Sequence, residues 1–259
     1  MRVSTAVLVG LFLTAVGSAQ LLHDQKAQTF TRADSLRGML TPLRTCYDLT
    51  YYHLDVRIDP STKTVAGSNT VVFNVVTDFD RMQLDLFENM KIERIVLDDG
   101  RTVPFTREFG AVFLELPEKL KKDALRSVTL YYSGSPIVAK RPPWDGGFIW
   151  TEDKEGNPWV AVACQGTGAS LWWPTKDHQA DEPDSMLISI TVPPGLQNIS
   201  NGRLRETTTL PDGWIRYDWF VSYPINNYNV TVNVGKFAHF NDVYVSGSDT
   251  LTLNYYVMP

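Results

Sequence analysis

Apolar and polar residues alternate along most of the chain from Tyr47 onward. In segment 52–58, for example, every second residue is apolar and the residues between are polar or charged. This pattern is typical of β-strands that bury one face and expose the other. The same alternation predicts further strands around Phe113 and in segments 82–86, 128–132, 188–192, 228–234 and 251–257.

Turn sequences separate these predicted strands. Asp98-Asp99-Gly100, segment 154–158 and Pro211-Asp212-Gly213 contain the glycine, proline and aspartate residues that tight hairpins require. Many short strands at this spacing predict an all-β fold, either a sandwich or a large twisted antiparallel sheet. No repeat or linker divides the region, so we expect residues 46–259 to form one domain.

Segment 25–40 is the only stretch that predicts a helix of any length. Thr31 and Asp34 have the spacing of a capping box and precede the apolar residues Leu36 and Met39. We expect Pro42 to stop this helix. A short helix within an N-terminal segment, 20–45, therefore precedes the β-domain.

The first residues have the pattern of a secretory signal peptide. Arg2 supplies a positive charge, residues 6–16 are mostly apolar, and Gly17-Ser18-Ala19 offers a cleavage site after Ala19. A membrane anchor or a buried N-terminal helix is the alternative. With residues 1–19 removed as a signal peptide, the protein would be periplasmic or extracellular. Later segments lack the ~18 uninterrupted apolar residues of a membrane span.

Composition excludes a disordered chain and offers no electrostatic reason for a nucleic-acid or anionic-membrane partner. Of the 259 residues 43% are hydrophobic and 20% are charged, and the formal net charge is −5. An oxidising compartment would permit a disulfide between Cys46 and Cys164, but two distant cysteines do not predict one.

The sequence predicts no catalytic or metal-binding residues in this chain. A zinc protease needs two histidines one helical turn apart with a glutamate between them. The four histidines, His23, His53, His178 and His239, include no such pair. Nucleophile-elbow and phosphate-binding glycine motifs are also missing from the sequence.

Segment 162–184 departs from the strand pattern and is the best candidate for a functional loop. Trp172 and Trp173 either pack in the core or form part of a binding surface. The polar residues that follow, Asp177, His178, Asp181 and Glu182, form either a small metal cluster or a loop held by its own hydrogen bonds. Gln165 either pairs with backbone or faces a ligand.

This segment resembles the N-terminal β-domain of the aminopeptidase N family of zinc metallopeptidases. In that family a Gln or Glu ends a strand nine positions ahead of an aromatic-Pro-x-x-Asp turn. Here Gln165 precedes Pro174 by nine positions, with Trp173 before the proline and Asp177 after it. A weaker resemblance extends from about Cys46 to Pro259. Three positions depart from the family pattern, Ala163, Ser170 and Thr175, so substrate preference does not transfer.

The resemblance implies a saddle-shaped antiparallel β-domain that packs on a following catalytic domain of the same polypeptide. That domain would bind Zn²⁺ and hydrolyse peptides at their amino terminus. Gln165 aligns with the family residue that accepts a hydrogen bond from the substrate α-amine. This chain alone would then be inactive and would end at a domain boundary.

A secreted β-sandwich that binds carbohydrate or protein is the alternative function. It would use exposed tryptophans as an aromatic platform, and the candidates are Trp144, Trp150, Trp159, Trp172 and Trp173.

Overall fold

The structure is a computed structural model that describes residues 29–164 and 166–259. The predicted signal peptide, residues 1–19, lies outside the described residues, and so does the start of the predicted helix. Within the described part of the chain, no helix is long and apolar enough to cross a membrane.

From residue 29 onward, two short helices precede the strands, α1 (Arg32–Gly38) and α2 (Pro42–Thr45). The predicted capping box is confirmed: Thr31 Oγ1 accepts from the Asp34 N–H at 3.2 Å, and an Asp34 carboxylate oxygen accepts from the Thr31 N–H at 2.8 Å. The expected role of Pro42 is wrong, because Pro42 begins α2 rather than ending helical structure. Proline is tolerated at the first helical position, where its missing N–H has no intrahelical partner.

The rest of the described chain consists mainly of strands, with two 3-10 helices in the connections between them. In chain order they are β1 (Tyr47–Asp59), β2 (Thr64–Val75), β3 (Phe79–Asp85), β4 (Met90–Leu97), β5 (Phe105–Glu108), β6 (Ala111–Leu120), β7 (Leu125–Gly134), β8 (Gly147–Glu152), β9 (Pro158–Ala163), β10 (Ser185–Val192), β11 (Gln197–Ile199), β12 (Arg203–Thr209), β13 (Ile215–Val221), β14 (Asn233–Gly235), β15 (Ala238–Ser246) and β16 (Asp249–Val257).

These strands form four sheets within the described residues, which confirms the all-β prediction. The largest has the order β12-β13-β10-β1-β2-β7-β4, and the others are β11-β14-β9-β8, β3-β6-β5 and the ribbon β15-β16. One pair of neighbouring strands departs from the antiparallel arrangement, because β1 and β10 are parallel. These strands are far apart in sequence, and parallel neighbours require a long connection.

A β-bulge in β1 changes which residues face the core. The register with β2 shifts between Leu49 and Tyr51. Before the shift Tyr47 and Leu49 are buried, and after it the even-numbered apolar residues of the predicted alternation, 52–58, are buried. One extra residue in a strand reverses the side on which later side chains lie. The bulge therefore lets both halves of β1 pack on the same core.

Segment 228–234 is not the strand that its alternation predicted. Residues Asn227–Asn229 form a 3-10 helix, and only Asn233–Gly235 pairs as a strand. The Asn226 side chain accepts a hydrogen bond from the Tyr228 N–H at 3.3 Å, a local turn that competes with strand formation. The alternate valines at 230, 232 and 234 are nonetheless buried.

The three larger sheets share one hydrophobic core. Its buried cluster includes Leu54 from the seven-stranded sheet, Leu114 from β6 and Val160 from β9. Since β9 and β10 belong to different sheets, the connection between them, which contains the candidate site, crosses from one sheet to the other over this core.

Candidate functional site

The residues that flank Gln165 form a tight turn. Gln165 itself lies outside the described residues, so its predicted role stays a prediction. The backbone N–H groups of Thr167 and Gly168 both donate to the carbonyl of Cys164, at 3.0 and 2.8 Å. Gly166 and Gly168 have φ angles of 77° and 95°, which favour glycine. Both positions of this turn therefore require glycine.

Asp177 anchors the residues that follow the turn. Its carboxylate accepts hydrogen bonds from the Ser170 N–H at 3.0 Å and from the Ser170 hydroxyl at 2.6 Å. A Cβ atom added to Gly168 would lie 2.2 Å from the same carboxylate. Glycine at 168 therefore allows Asp177 to approach the backbone closely and to cap the 3-10 helix Ala169–Leu171.

A second carboxylate, that of Asp85 at the end of β3, anchors Asp177. It accepts two hydrogen bonds of 2.7 Å from the guanidinium of Arg44 in α2 and one of 2.9 Å from the Gln83 amide. It also accepts the backbone N–H of Asp177 at 3.0 Å. Burial raises the pKa of Asp85, and the charge and hydrogen bonds of Arg44 oppose this rise. The ion pair joins α2, β3 and the connection in one buried network.

Lys176 makes a similar link to β1. Its buried ammonium donates to the Tyr47 carbonyl at 2.9 Å and to the Asp181 carboxylate, and lies 4.2 Å from the centre of the Tyr47 ring. Burial lowers the pKa of Lys176, and Asp181 opposes this change. The Lys176 N–H also donates to the Tyr52 hydroxyl at 3.0 Å. The connection is therefore fixed to β1 as well as to β3.

The structure favours a loop held by its own hydrogen bonds over a metal cluster in this connection. Asp177 caps Ser170, Asp181 pairs with Lys176, and the His178 ring nitrogen accepts from the Ala180 N–H at 3.0 Å. Among residues 29–164 and 166–259, no three His, Cys, Asp or Glu side chains are placed to hold a metal ion. The zinc ion that the resemblance implies is expected on a following domain and not on these residues.

Trp172 and Trp173 belong to the core, as one of the two interpretations expected. Neither has exposed surface, and their rings contact each other with centroids 6.1 Å apart. They therefore cannot form the platform of the alternative binding function. The prediction that these two tryptophans belong to such a platform is wrong. Of the other three candidates, Trp150 is half-buried, whereas Trp144 and Trp159 expose 85% and 36% of their surface.

A cavity of about 310 Å³ opens beside the turn. Its lining includes Arg37, Cys164, Thr167, His178, Asn227 and Tyr228. The Arg37 guanidinium donates to the Thr167 carbonyl, and the Asn227 amide donates to the Lys176 carbonyl at 2.6 Å. The sequence alone does not indicate a role for either residue, because they come from distant segments and belong to no local motif.

Cys46 and Cys164 are free thiols and both are buried. Burial raises the pKa of Cys46 to about 11 and that of Cys164 to about 12. Thiols with such values are almost entirely protonated at neutral pH and react slowly. Cys164 therefore has a packing role beside the turn.

No protein-family model and no curated protein matches this sequence, but solved structures share its fold. One of them is a mutant M1 zinc metallopeptidase from Deinococcus radiodurans. The match covers 81% of this chain and 47% of the metallopeptidase chain, with a TM-score of 0.69 and 19% identity. With a bound Tyr-Ser-Ala substrate its TM-score is 0.68, at the same identity and coverage. A two-domain M1 zinc metallopeptidase bound to L-arginine also has a TM-score of 0.68 at 19% identity.

The likeness confirms the fold that the resemblance to the aminopeptidase N family predicted. The chain spans about half the length of these structures. At 19% identity the comparison establishes the fold alone.

Proposed function

We propose that this chain is the N-terminal domain of an exported zinc metallo-aminopeptidase that removes N-terminal residues from peptides. The shared fold with M1 zinc metallopeptidases over 81% of the chain carries this proposal. One of these enzymes is bound to a tripeptide substrate, which supports peptides as the substrate class. The signal-peptide pattern of residues 1–19 supports export.

In this proposal the chemistry takes place on a second domain of the same polypeptide. The described residues offer no metal site, so the zinc ion would be bound outside them. The related structures are about twice as long as their match to this chain, which leaves room for such a domain. The contribution of this chain would be a wall of the substrate cleft and the recognition of the peptide amino terminus.

Gln165 is the residue that we propose to bind the substrate ammonium group. The carbonyl oxygen of a glutamine side chain accepts hydrogen bonds, and an ammonium group donates three. A group that orients substrate must be held in place. The hydrogen bonds of Cys164, the cap by Asp177 and the buried Arg44–Asp85 pair together hold the residues around position 165.

Replacing Gln165 in the full-length enzyme tests this role. A hydrogen bond to a charged group contributes about 1.5–3 kcal/mol, so Gln165→Ala should lower kcat/KM roughly 10- to 100-fold. The melting temperature should not change, because the variant removes a substrate contact. Gln165→Glu should retain more activity, since a carboxylate also accepts this hydrogen bond and adds charge attraction.

The kinetics and the melting temperature must be measured on the same preparations. A stably folded Gln165→Ala enzyme with unaltered kcat/KM would remove the assignment. A lower melting temperature with unchanged kinetics would show instead that Gln165 has a structural role.

A further inference from the structure

A cavity of about 1010 Å³ lies between the four-stranded sheet and one end of the seven-stranded sheet. One side is the face of the β8–β9 hairpin on which Trp150 pairs with Val160 and Glu152 pairs with Pro158. The other side is formed by the turn between β1 and β2 and by Trp214, which precedes β13. That turn is at the opposite end of β1 from the residues that Lys176 contacts, so this cavity is separate from the turn beside Gln165.

Two half-buried tryptophans, Trp150 and Trp214, line the cavity, and each has one ring face already covered. Phe148 stacks on Trp150 with ring centroids 5.1 Å apart, and the Arg57 guanidinium lies 4.4 Å from the centre of the Trp214 ring. Because both rings line the cavity, a ligand there would contact their other faces. Rings held in place in this way offer a large apolar surface, and little side-chain freedom is lost on binding.

Four charged side chains line the same cavity, and their charges cancel. They are the carboxylates of Asp59 and Glu152 and the ammonium groups of Lys63 and Lys236. Among residues 29–164 and 166–259, none of the four forms an ion pair. A lining without net charge does not attract a strongly charged ligand, whereas these groups can donate and accept hydrogen bonds.

These features disfavour a hydrocarbon chain and an extended peptide as the ligand. A hydrocarbon would remove water from the charged groups without replacing its hydrogen bonds, which is costly. An extended peptide binds by pairing with the backbone of an edge strand. The hairpin face that lines this cavity presents side chains instead, because side chains stand roughly perpendicular to a sheet. The ligand should therefore be uncharged, rich in hydrogen-bonding groups and flat enough to stack on indole rings.

We propose that this cavity binds a neutral oligosaccharide. Sugar rings with equatorial substituents have flat C–H faces that stack on aromatic rings, and their hydroxyl groups form hydrogen bonds with carboxylates and ammonium groups. The cavity is at the upper limit of the roughly 300–1,000 Å³ of small-ligand sites, so it has room for more than one sugar ring. This inference goes beyond the proposed function and does not depend on it, because every lining residue belongs to this chain and not to the rest of a longer polypeptide.

Calorimetric titration of the 259-residue chain with two neutral oligosaccharides, cellohexaose and chitohexaose, tests the proposal. At least one of them should bind with a Kd of ~1 mM or lower. Trp214→Ala should weaken this binding at least ~10-fold, because it removes one stacking surface. Trp159→Ala is the matched control, since Trp159 belongs to the β8–β9 hairpin but lies between Pro158 and Val160 and therefore points from the opposite face. This variant should bind like the wild type.

Glu152→Ala is a second variant whose folding is not in question, because the Glu152 side chain is exposed. It should weaken binding ~5-fold or more through the loss of a hydrogen bond to a hydroxyl group. The melting temperatures of all variants show which of them are folded. If Trp214→Ala does not fold, the comparison of Glu152→Ala with Trp159→Ala decides.

Failure of both oligosaccharides to bind would overturn the proposal, and so would unchanged affinity in Glu152→Ala or in a folded Trp214→Ala. Loss of binding in Trp159→Ala or in Trp144→Ala would also overturn it, because the exposed tryptophans would then form the binding surface. A proline decapeptide that binds in place of the oligosaccharides would show that the cavity is a peptide site.

Discussion

A buried pair of charged side chains, Arg44 and Asp85, joins two distant segments of this protein. Arg44 and Asp85 are 41 residues apart and connect α2 to β3. A buried charge that loses its partner is strongly destabilising, although an intact pair adds little stability over an apolar one. Such pairs therefore act mainly by fixing which segments meet. Their pairing could not be predicted from the sequence, because neither residue carries a local signal for the other.

The Arg44–Asp85 pair should be far more sensitive to substitution than an exposed pair of the same type. Asp85→Asn leaves the buried guanidinium of Arg44 without a counter-charge and should lower the free energy of unfolding by about 3–5 kcal/mol. Glu108→Gln is the matched control, because Glu108 pairs with Arg32 of α1 at an exposed site. Urea titration should show no measurable change for this variant. Similar losses for both would contradict the structural role of the buried pair.

His53 should make stability depend on pH between neutral and mildly acidic conditions. Burial lowers the pKa of His53, the nearby carboxylates of Asp55 and Asp218 oppose this shift, and Arg216 adds to it. Its ring nitrogen lies 3.1 Å from the Ser189 hydroxyl. Between the lowered folded pKa and the unfolded value of about 6.5, the unfolded chain binds more protons than the folded one. Stability should therefore fall as pH drops through this range.

The free energy of unfolding at several pH values, in the wild type and in His53→Gln, tests this expectation. The variant cannot gain a proton at this position, so its stability should change less between pH ~7.5 and ~5. Identical pH profiles would show that His53 does not contribute.

At the scale of elements, six of the seven segments that alternation predicted are strands, but alternation did not predict what their faces meet. It placed β1 correctly, yet the bulge near Thr50 has no signal in the pattern. It also predicted the strand at 251–257, but the apolar side of that strand is exposed. Alternation identifies residues that share a face, whereas burial of that face depends on the partner. The spacing between Gln165, Pro174 and Asp177 could be recognised in the sequence because these residues belong to one local segment. Arg37 and Asn227 come from distant segments and reach the site only through the tertiary fold.

The turn beside Gln165 should tolerate a side chain at 168 less well than an ordinary turn does. Gly168 and Gly156 both have positive φ angles, 95° and 82°, but a Cβ atom at 156 meets nothing within 4 Å. Gly156→Ala should cost about 1–2 kcal/mol of stability through backbone strain alone. Gly168→Ala should cost roughly 1–3 kcal/mol more, because it displaces the Asp177 carboxylate and its hydrogen bonds.

Chemical denaturation of the two alanine variants provides the measurement. Amide exchange of Ser170 should rise only in Gly168→Ala, since Asp177 caps that residue. Equal costs in the two variants would mean that close packing against Asp177 has no energetic importance.

At the scale of the whole molecule, the candidate site collects at one end of the large sheet. β1 and β10 run parallel, and Ser185 at the start of β10 pairs with Tyr51, four residues after the start of β1. The two N-terminal helices lead into β1 at this end, and the connection that contains Asp177 leads into β10. The buried pairs of Arg44 and Lys176 tie these segments together. This arrangement gives the residues around Gln165 a rigid support, which the substrate-orienting role proposed for Gln165 would require.

We propose that this chain shapes a substrate cleft and that the zinc chemistry belongs to another domain. Hydrolysis of aminoacyl substrates and zinc content should be measured on the 259-residue chain and on the longer polypeptide. We expect that the chain alone neither hydrolyses these substrates nor binds zinc stoichiometrically, whereas the longer polypeptide does both and loses activity with chelator. Chelator-sensitive activity that copurifies with the 259-residue chain, or a longer polypeptide without aminopeptidase activity, would contradict it.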